Sequence, residues 1–140
     1  MTTFGTAKWQ GGLKDGIGAI STKSGALKDH PYGFVARFEG GPGTNPEELI
    51  GAAHAGCFTM ALSKILGDAG FTATEMNTKA EITLEKQGDG FAITKSHLIL
   101  RAKIPGIDAA KFNELAGMAE KGCPVSKVLK AAISLDAALD

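Results

Sequence analysis

The residues of this 140-residue chain best suited to chemistry are its two cysteines. Cys57 lies in Ala53-His54-Ala55-Gly56-Cys57-Phe58, where small neighbours let a ligand or another backbone come close. Taken alone it fits an inert core thiol, because free cysteine is among the most buried residue types. Cys123 stands directly before Pro124 at an expected helix start, where unpaired N–H groups and the helix dipole stabilise a thiolate. That position favours reactivity. His54 precedes Cys57 by three positions, so on a continuous helix the two share a face and suit a metal site or a Cys-His nucleophile. A zinc site needs three or four ligands, and only Cys123 and the distant His30 or His97 remain to supply them. Hydrolysis needs an orienting third group and an oxyanion hole, which no motif identifies. The expectation for His54 is a packed, hydrogen-bonded histidine, and no metal or other cofactor is expected. Arg37 and Arg101 are the only arginines, and each planar guanidinium is therefore a candidate for paired recognition.

The elements that must position these groups are legible from periodicity. Short extended pieces, Ile17 to Thr22 and Gly33 to Arg37, form a meander between glycine- and proline-marked turns. Glu39-Gly40-Gly41-Pro42-Gly43 is a loop with no Gly-Lys-Ser/Thr after it, which reads as a hinge rather than a phosphate cradle. Asn45 can cap a helix, with Pro46 in its first position and Glu48 three past the cap. From Leu49 to Leu66 the residues are apolar or small nearly all round, the pattern of a helix buried on several sides, which Gly67-Asp68-Ala69-Gly70 ends. Thr78 to Lys86 alternates wet and dry positions, Gln87 to Gly90 turns, and Phe91 to Ile104 continues extended. In that second strand Ala92, Thr94, Ser96, Leu98, Leu100, Ala102 and Ile104 share a face. A helix from Asp108 to Lys121 carries Phe112, Leu115 and Met118, a short helix follows Cys123-Pro124, and Ile133 to Leu139 closes as a strand. The order predicts an α+β fold, an antiparallel sheet against a long central helix, in one domain over 1–140.

Composition narrows the partners. Fifteen basic residues balance fifteen acidic ones and no stretch concentrates one sign, which argues against nucleic acid. The apolar stretch Leu49 to Leu62 is interrupted by His54 and is shorter than the roughly 20 residues of a membrane span. No export signal is read at the N-terminus, so a cytoplasmic location is expected, where cysteine pairs are kept reduced. One chain has little material to cover an all-round apolar helix, so a second copy is expected to cover it.

Pro31-Tyr32-Gly33-Phe34, Arg37-Phe38-Glu39-Gly40, the block from Gly43 to Phe58, and Gly122-Cys123-Pro124-Val125-Ser126 carry a specific resemblance. So do Trp9, Phe91-Ala92-Ile93-Thr94-Lys95 and Pro105-Gly106-Ile107-Asp108-Ala109. Over nearly the whole chain these segments resemble the OsmC branch of the OsmC/Ohr family. The resemblance implies an intertwined homodimer, two long helices wrapped by antiparallel sheets, that reduces organic hydroperoxides and, less well, hydrogen peroxide. It implies Cys57 as the peroxidatic and Cys123 as the resolving cysteine, with Arg37 and Glu47 assisting the peroxidatic thiol and an external dithiol reopening the disulfide. The sister Ohr branch has its arginine in the early turn, where this chain has Lys14-Asp15-Gly16, which favours the OsmC branch. A non-catalytic redox-sensing or ligand-binding dimer with the same pocket is the alternative.

One spacing resists this picture. Glu47 and Cys57 stand about ten residues apart, or about 15 Å on a straight helix. Either the helix breaks near Gly51 or Gly56, or Glu47 acts only by orienting Arg37.

Overall fold

The computed structural model describes residues Met1–Asp140, which form two compact units, Met1–Leu49 and Ile50–Asp140. In the first, β1 (Gly5–Gln10), β2 (Ile17–Thr22) and β3 (His30–Tyr32) make an antiparallel sheet in that order. Trp9 and Tyr32 meet edge to face with centroids 5.6 Å apart, tying β1 to β3 across β2. Every residue of β1 is exposed, so this chain leaves the strand without a cover.

The segment expected to extend from Gly33 to Arg37 is instead a short helix, α1 (Phe34–Phe38). Its apolar run is too short for periodicity to separate strand from helix. The helical turn brings Phe34 and Phe38 to 5.0 Å between ring centres and buries Ala36, contacts that an extended chain would forfeit. The following loop passes close to β3: Gly43, at φ 109°, leaves no room for a Cβ, which would lie 2.8 Å from the Pro31 carbonyl oxygen. A side chain there would force the loop away from the sheet.

α2 (Pro46–Asp68) begins as expected. The Asn45 side chain accepts from the Glu48 amide at 2.8 Å, and Pro46 occupies the first turn. It ends where Gly70 adopts φ 87°. At 23 residues the helix is longer than the apolar stretch on which the membrane argument rested, and by length and composition alone it passes for a span. Its use is a core helix: Phe58, Leu62 and Leu66 are buried in the main hydrophobic cluster, each contributing roughly 1.5–3 kcal/mol. The opposite face, with Ala52, Ala53, Gly56 and Met60, is exposed, so within this chain the helix is covered on one side only.

The second unit holds β4 (Glu75–Gln87), β5 (Gly90–Lys103) and β6 (Ala132–Leu139) in one sheet. β4 and β5 form the expected antiparallel hairpin, with an irregularity at Thr83/Leu84. The predicted inner face of β5 is observed, with Ser96, Leu98, Leu100 and Ala102 at most 1% exposed. β6, however, pairs parallel to β5, so the sheet is mixed rather than antiparallel. The chain leaves the end of β5 and crosses through α3 (Ala109–Gly122) and α4 (Pro124–Val128) before re-entering alongside it, the long connection that parallel pairing requires. α3 starts on Asp108, whose carboxylate accepts from the Lys111 amide at 2.7 Å. Its buried stripe is Phe112, Leu115, Ala116 and Ala119, the i, i+3, i+4, i+7 set, while Met118 is 50% exposed. The small alanines, not the larger methionine, face the core.

Candidate active site

Both cysteines are free thiols, and both lie in the second unit. Cys123 caps α4: its sulfur accepts from the Ser126 amide at 3.4 Å and from the Ser126 hydroxyl at 3.5 Å. It is completely buried, whereas Cys57, on α2, is part-exposed. The two thiols are close enough that each shifts the other's ionisation. Burial pushes the Cys57 thiol up, the Val125 amide opposes this, and the neighbouring Cys123 adds to the rise. Burial also acts to raise Cys123, but the Ser126 hydroxyl and amide, with help from Cys57 and the Val125 amide, outweigh it and bring the thiol down. Cys123 thus occupies the helix start expected for it, and the pull toward thiolate comes largely from Ser126.

Cys57 opens on a cavity of about 430 Å³ walled by Met60, Ala61, Lys64, Ile65, Gly122 and Pro124. Most of these residues follow Cys57 at helical spacing, so the sulfur's own helix face makes an apolar wall. Phe58, the next residue along the chain, lies instead in the core at 0% exposure. One residue along an α-helix is a rotation of about 100°, which carries it to the His54–Leu62 face.

His54 is fully buried and both ring nitrogens have partners: Nδ1 lies 2.6 Å from Ser96 Oγ and Nε2 2.8 Å from Ser126 Oγ. Burial lowers its pKa, so the neutral ring is favoured. Ser96 and Ser126 were not singled out as functional from the sequence. The available signal was a serine among the apolar inward positions of β5, and a second serine three residues past Cys123.

In the first unit, Arg37 at the end of α1 holds Glu47 in the first turn of α2 through a forked contact. Nε lies 3.0 and 3.2 Å from the two carboxylate oxygens and Nη2 lies 2.6 Å from Oε1. Glu47 is buried and the Arg37 side chain is 37% exposed, so one edge of the guanidinium is committed to the pair and the rest stays open. The Arg37 guanidinium carbon lies 5.3 Å from the Phe38 ring centre, and a cavity of about 340 Å³ lined by Trp9, Leu13, Tyr32, Phe34, Phe38 and Arg37 opens beside it. Lys14, from the early turn, reaches to 5.9 Å of the Phe34 ring. Arg101, on the central strand β5, pairs instead with Asp140 just past the end of β6. α2 is helical throughout Pro46–Asp68, so a break at Gly51 or Gly56 does not occur.

An α+β chain with two neighbouring free thiols, one of them facing an apolar cavity, has the arrangement that dithiol redox chemistry needs. The model of the OsmC-like protein family matches residues 39–138, and the chain belongs to that family. It is 58% identical over 132 residues to the peroxiredoxin OsmC of Escherichia coli K12, covering 94% of this chain and 92% of that one. It is 30% identical over 114 residues to the organic hydroperoxide resistance protein OhrB of Bacillus subtilis 168, over 81% of this chain and 82% of that one. The crystal structure of the Bacillus subtilis OhrB superposes with a TM-score of 0.70 at 27% identity, covering 100% of this chain and 98% of that one.

Proposed function

We infer that this chain is a thiol peroxidase that reduces hydroperoxides through Cys57 and Cys123. The observation that carries the reading is a pair of neighbouring free thiols, one lining an apolar cavity, supported by the close kinship with a protein named a peroxiredoxin. The Cys57 thiolate attacks the terminal oxygen of ROOH, the O–O bond breaks, the departing alkoxide takes up the proton that the thiol released on ionising and leaves as the alcohol, and Cys57 becomes a sulfenic acid. Cys123 condenses with it to a disulfide and water, which protects Cys57 from irreversible oxidation. An external dithiol then returns the pair to thiols, a cycle that fits a reducing cytoplasm.

Cys57 needs a cation for this, because its thiol is pushed up and none of the groups shifting it is positively charged. Arg37 is the proposed source, and Glu47 its holder. Because α2 is unbroken, helix rise alone separates Glu47 from Cys57 by about 15 Å, which favours delivery of Arg37 by a second copy of the chain. A homodimer also covers what one chain leaves bare: Met60 at 77% exposure, the small residues Ala52, Ala53 and Gly56 beside it, and all of β1. Left in water, that surface costs about 25 cal/mol per Å² of apolar area. Separation of the subunits is expected to coincide with unfolding, and sedimentation that finds a folded monomer at micromolar concentration contradicts the dimer.

Bulky organic hydroperoxides are the proposed substrates. Met60, Ala61 and Ile65 bind the alkyl part, with about 0.8 kcal/mol for each buried methylene, a contribution that hydrogen peroxide lacks. Stopped-flow oxidation of the reduced protein tests both activity and preference. Fast stoichiometric turnover with a larger second-order rate constant for cumene hydroperoxide than for hydrogen peroxide is expected. Slow oxidation without a catalytic cycle would return the chain to the class of redox sensors, and equal rate constants would remove the case for an apolar site.

A further inference from the structure

Beneath the two thiols runs a buried polar chain that the peroxide-reducing step does not use. It starts at Ser96 on β5, passes through His54 on α2 and Ser126 on α4, and ends at Cys123. Its links are 2.6, 2.8 and 3.5 Å, and His54, Ser96 and Cys123 are each 0% exposed. Three separate elements therefore contribute to one line of exchangeable protons that terminates on a reacting sulfur.

We propose that Ser126 and His54 form a proton relay for the resolving step, with Ser126 touching the Cys123 sulfur and His54 acting through Ser126. The inference rests on the peroxidase reading given above. At rest the Ser126 hydroxyl donates to Cys123 Sγ; in the relay it rotates, so that Cys123 S–H donates to Ser126 Oγ, Ser126 O–H donates to His54 Nε2, and Nδ1–H donates to Ser96. When Cys57 has become a sulfenic acid, the Cys123 proton passes to Ser126 as the Ser126 proton passes to Nε2. The Cys123 thiolate attacks Cys57 Sγ, and the S–S bond forms as the S–O bond breaks, its electron pair leaving with the oxygen as hydroxide. That hydroxide takes back the proton stored on His54 through Ser126 and departs as water. The sum is one sulfenic acid and one thiol converted to one disulfide and one water, with no outside reagent. Ser96 holds the far nitrogen and keeps the ring aimed at Ser126. Burial, which keeps the ring neutral between turnovers, leaves Nε2 free to accept.

The relay belongs to the second step alone, and that separates it from a structural role. In single-turnover experiments the reduced full chain is mixed with cumene hydroperoxide, and samples are quenched with dimedone and weighed by mass spectrometry. Sulfenic acid formation at Cys57 and closure of the disulfide are thereby timed independently. Wild type, His54→Gln and Ser126→Ala are compared. Glutamine can bond both serine hydroxyls but cannot take up the proton. Ser126→Ala removes the hydroxyl while the amide of residue 126 still caps toward Cys123, so the second variant stands if the first does not fold. Formation of the sulfenic acid is expected at near the wild-type rate in both variants, with closure slowed by about 100-fold, the usual worth of a positioned acid–base group. Closure at the wild-type rate in either folded variant overturns the relay, and so does an equal loss in both steps, which marks a general structural defect. If wild-type Cys57 forms no sulfenic acid at all, the peroxidase reading falls and takes the relay with it; if wild type completes both steps, only the relay is at stake.

Discussion

Cys57→Ser is expected to abolish peroxide turnover, whereas Cys123→Ser is expected to consume about one equivalent of peroxide and then stall as a sulfenic acid that dimedone captures. The asymmetry follows from where each sulfur sits. Cys57 is part-exposed and lines the apolar cavity, so a peroxide can reach it; Cys123 is completely buried in the core, with Ser126, the Val125 amide and Cys57 as the groups acting on its sulfur. Serine keeps the size of the side chain but not the nucleophilicity of a thiolate, and at position 123 its oxygen can still accept from the Ser126 amide. Neither change should unfold the protein. The lowered pKa of Cys123 makes the opposite assignment a fair challenge, since it is the thiol more easily deprotonated in this chain. Nucleophilicity counts only where the peroxide can reach, and the buried sulfur has no cavity. Peroxide consumption and intact mass of both variants check this: a reactive Cys57→Ser with an inert Cys123→Ser would reverse the two roles.

Arg37→Ala is expected to slow oxidation of Cys57 roughly 100-fold, the loss typical of one preorganised donor, or about 2.7 kcal/mol of barrier. In the proposed mechanism the guanidinium has two tasks, to hold the Cys57 thiolate and to neutralise charge growing on the leaving oxygen. Its forked contact with Glu47 occupies Nε and Nη2 and so fixes the plane of the group. Lysine keeps the charge but cannot form that fork, so Arg37→Lys is expected to remain impaired. Glu47→Gln keeps one acceptor and is expected to be milder. The thiol pKa of Cys57 should rise in Arg37→Ala, because a cation that favours its thiolate is lost. The rate of Cys57 oxidation against pH for wild type, Arg37→Lys and Arg37→Ala is the measurement. Three overlapping curves would reduce Arg37 to a surface charge.

Local chemistry dictated much of this protein in advance. Asn45-Pro46 starts α2 because a side-chain acceptor and a ring without an N–H suit a helix's first turn wherever they occur. Period-two alternation placed Ser96, Leu98, Leu100 and Ala102 on one face of β5, and a cysteine before proline marked α4 and its capping sulfur. The motifs around Cys57 and Cys123 were enough to indicate the family. Other features depend on which elements meet, and no local pattern encodes that. The turn of α1 depends on Phe34 finding Phe38, and the parallel pairing of β6 depends on where the α3–α4 crossover returns the chain. Met118 and Phe58 are apolar in sequence, yet rotation about their helices sends one to solvent and the other to the core. His54 illustrates the division most clearly. Its type and spacing left metal ligand, catalytic base and packed ring all open, and only the convergence of α2, β5 and α4 set a serine hydroxyl on each nitrogen. Hydrogen-bond partners brought from distant parts of a chain are a property of packing, because each bond exists only after the elements carrying its two ends have been buried against each other.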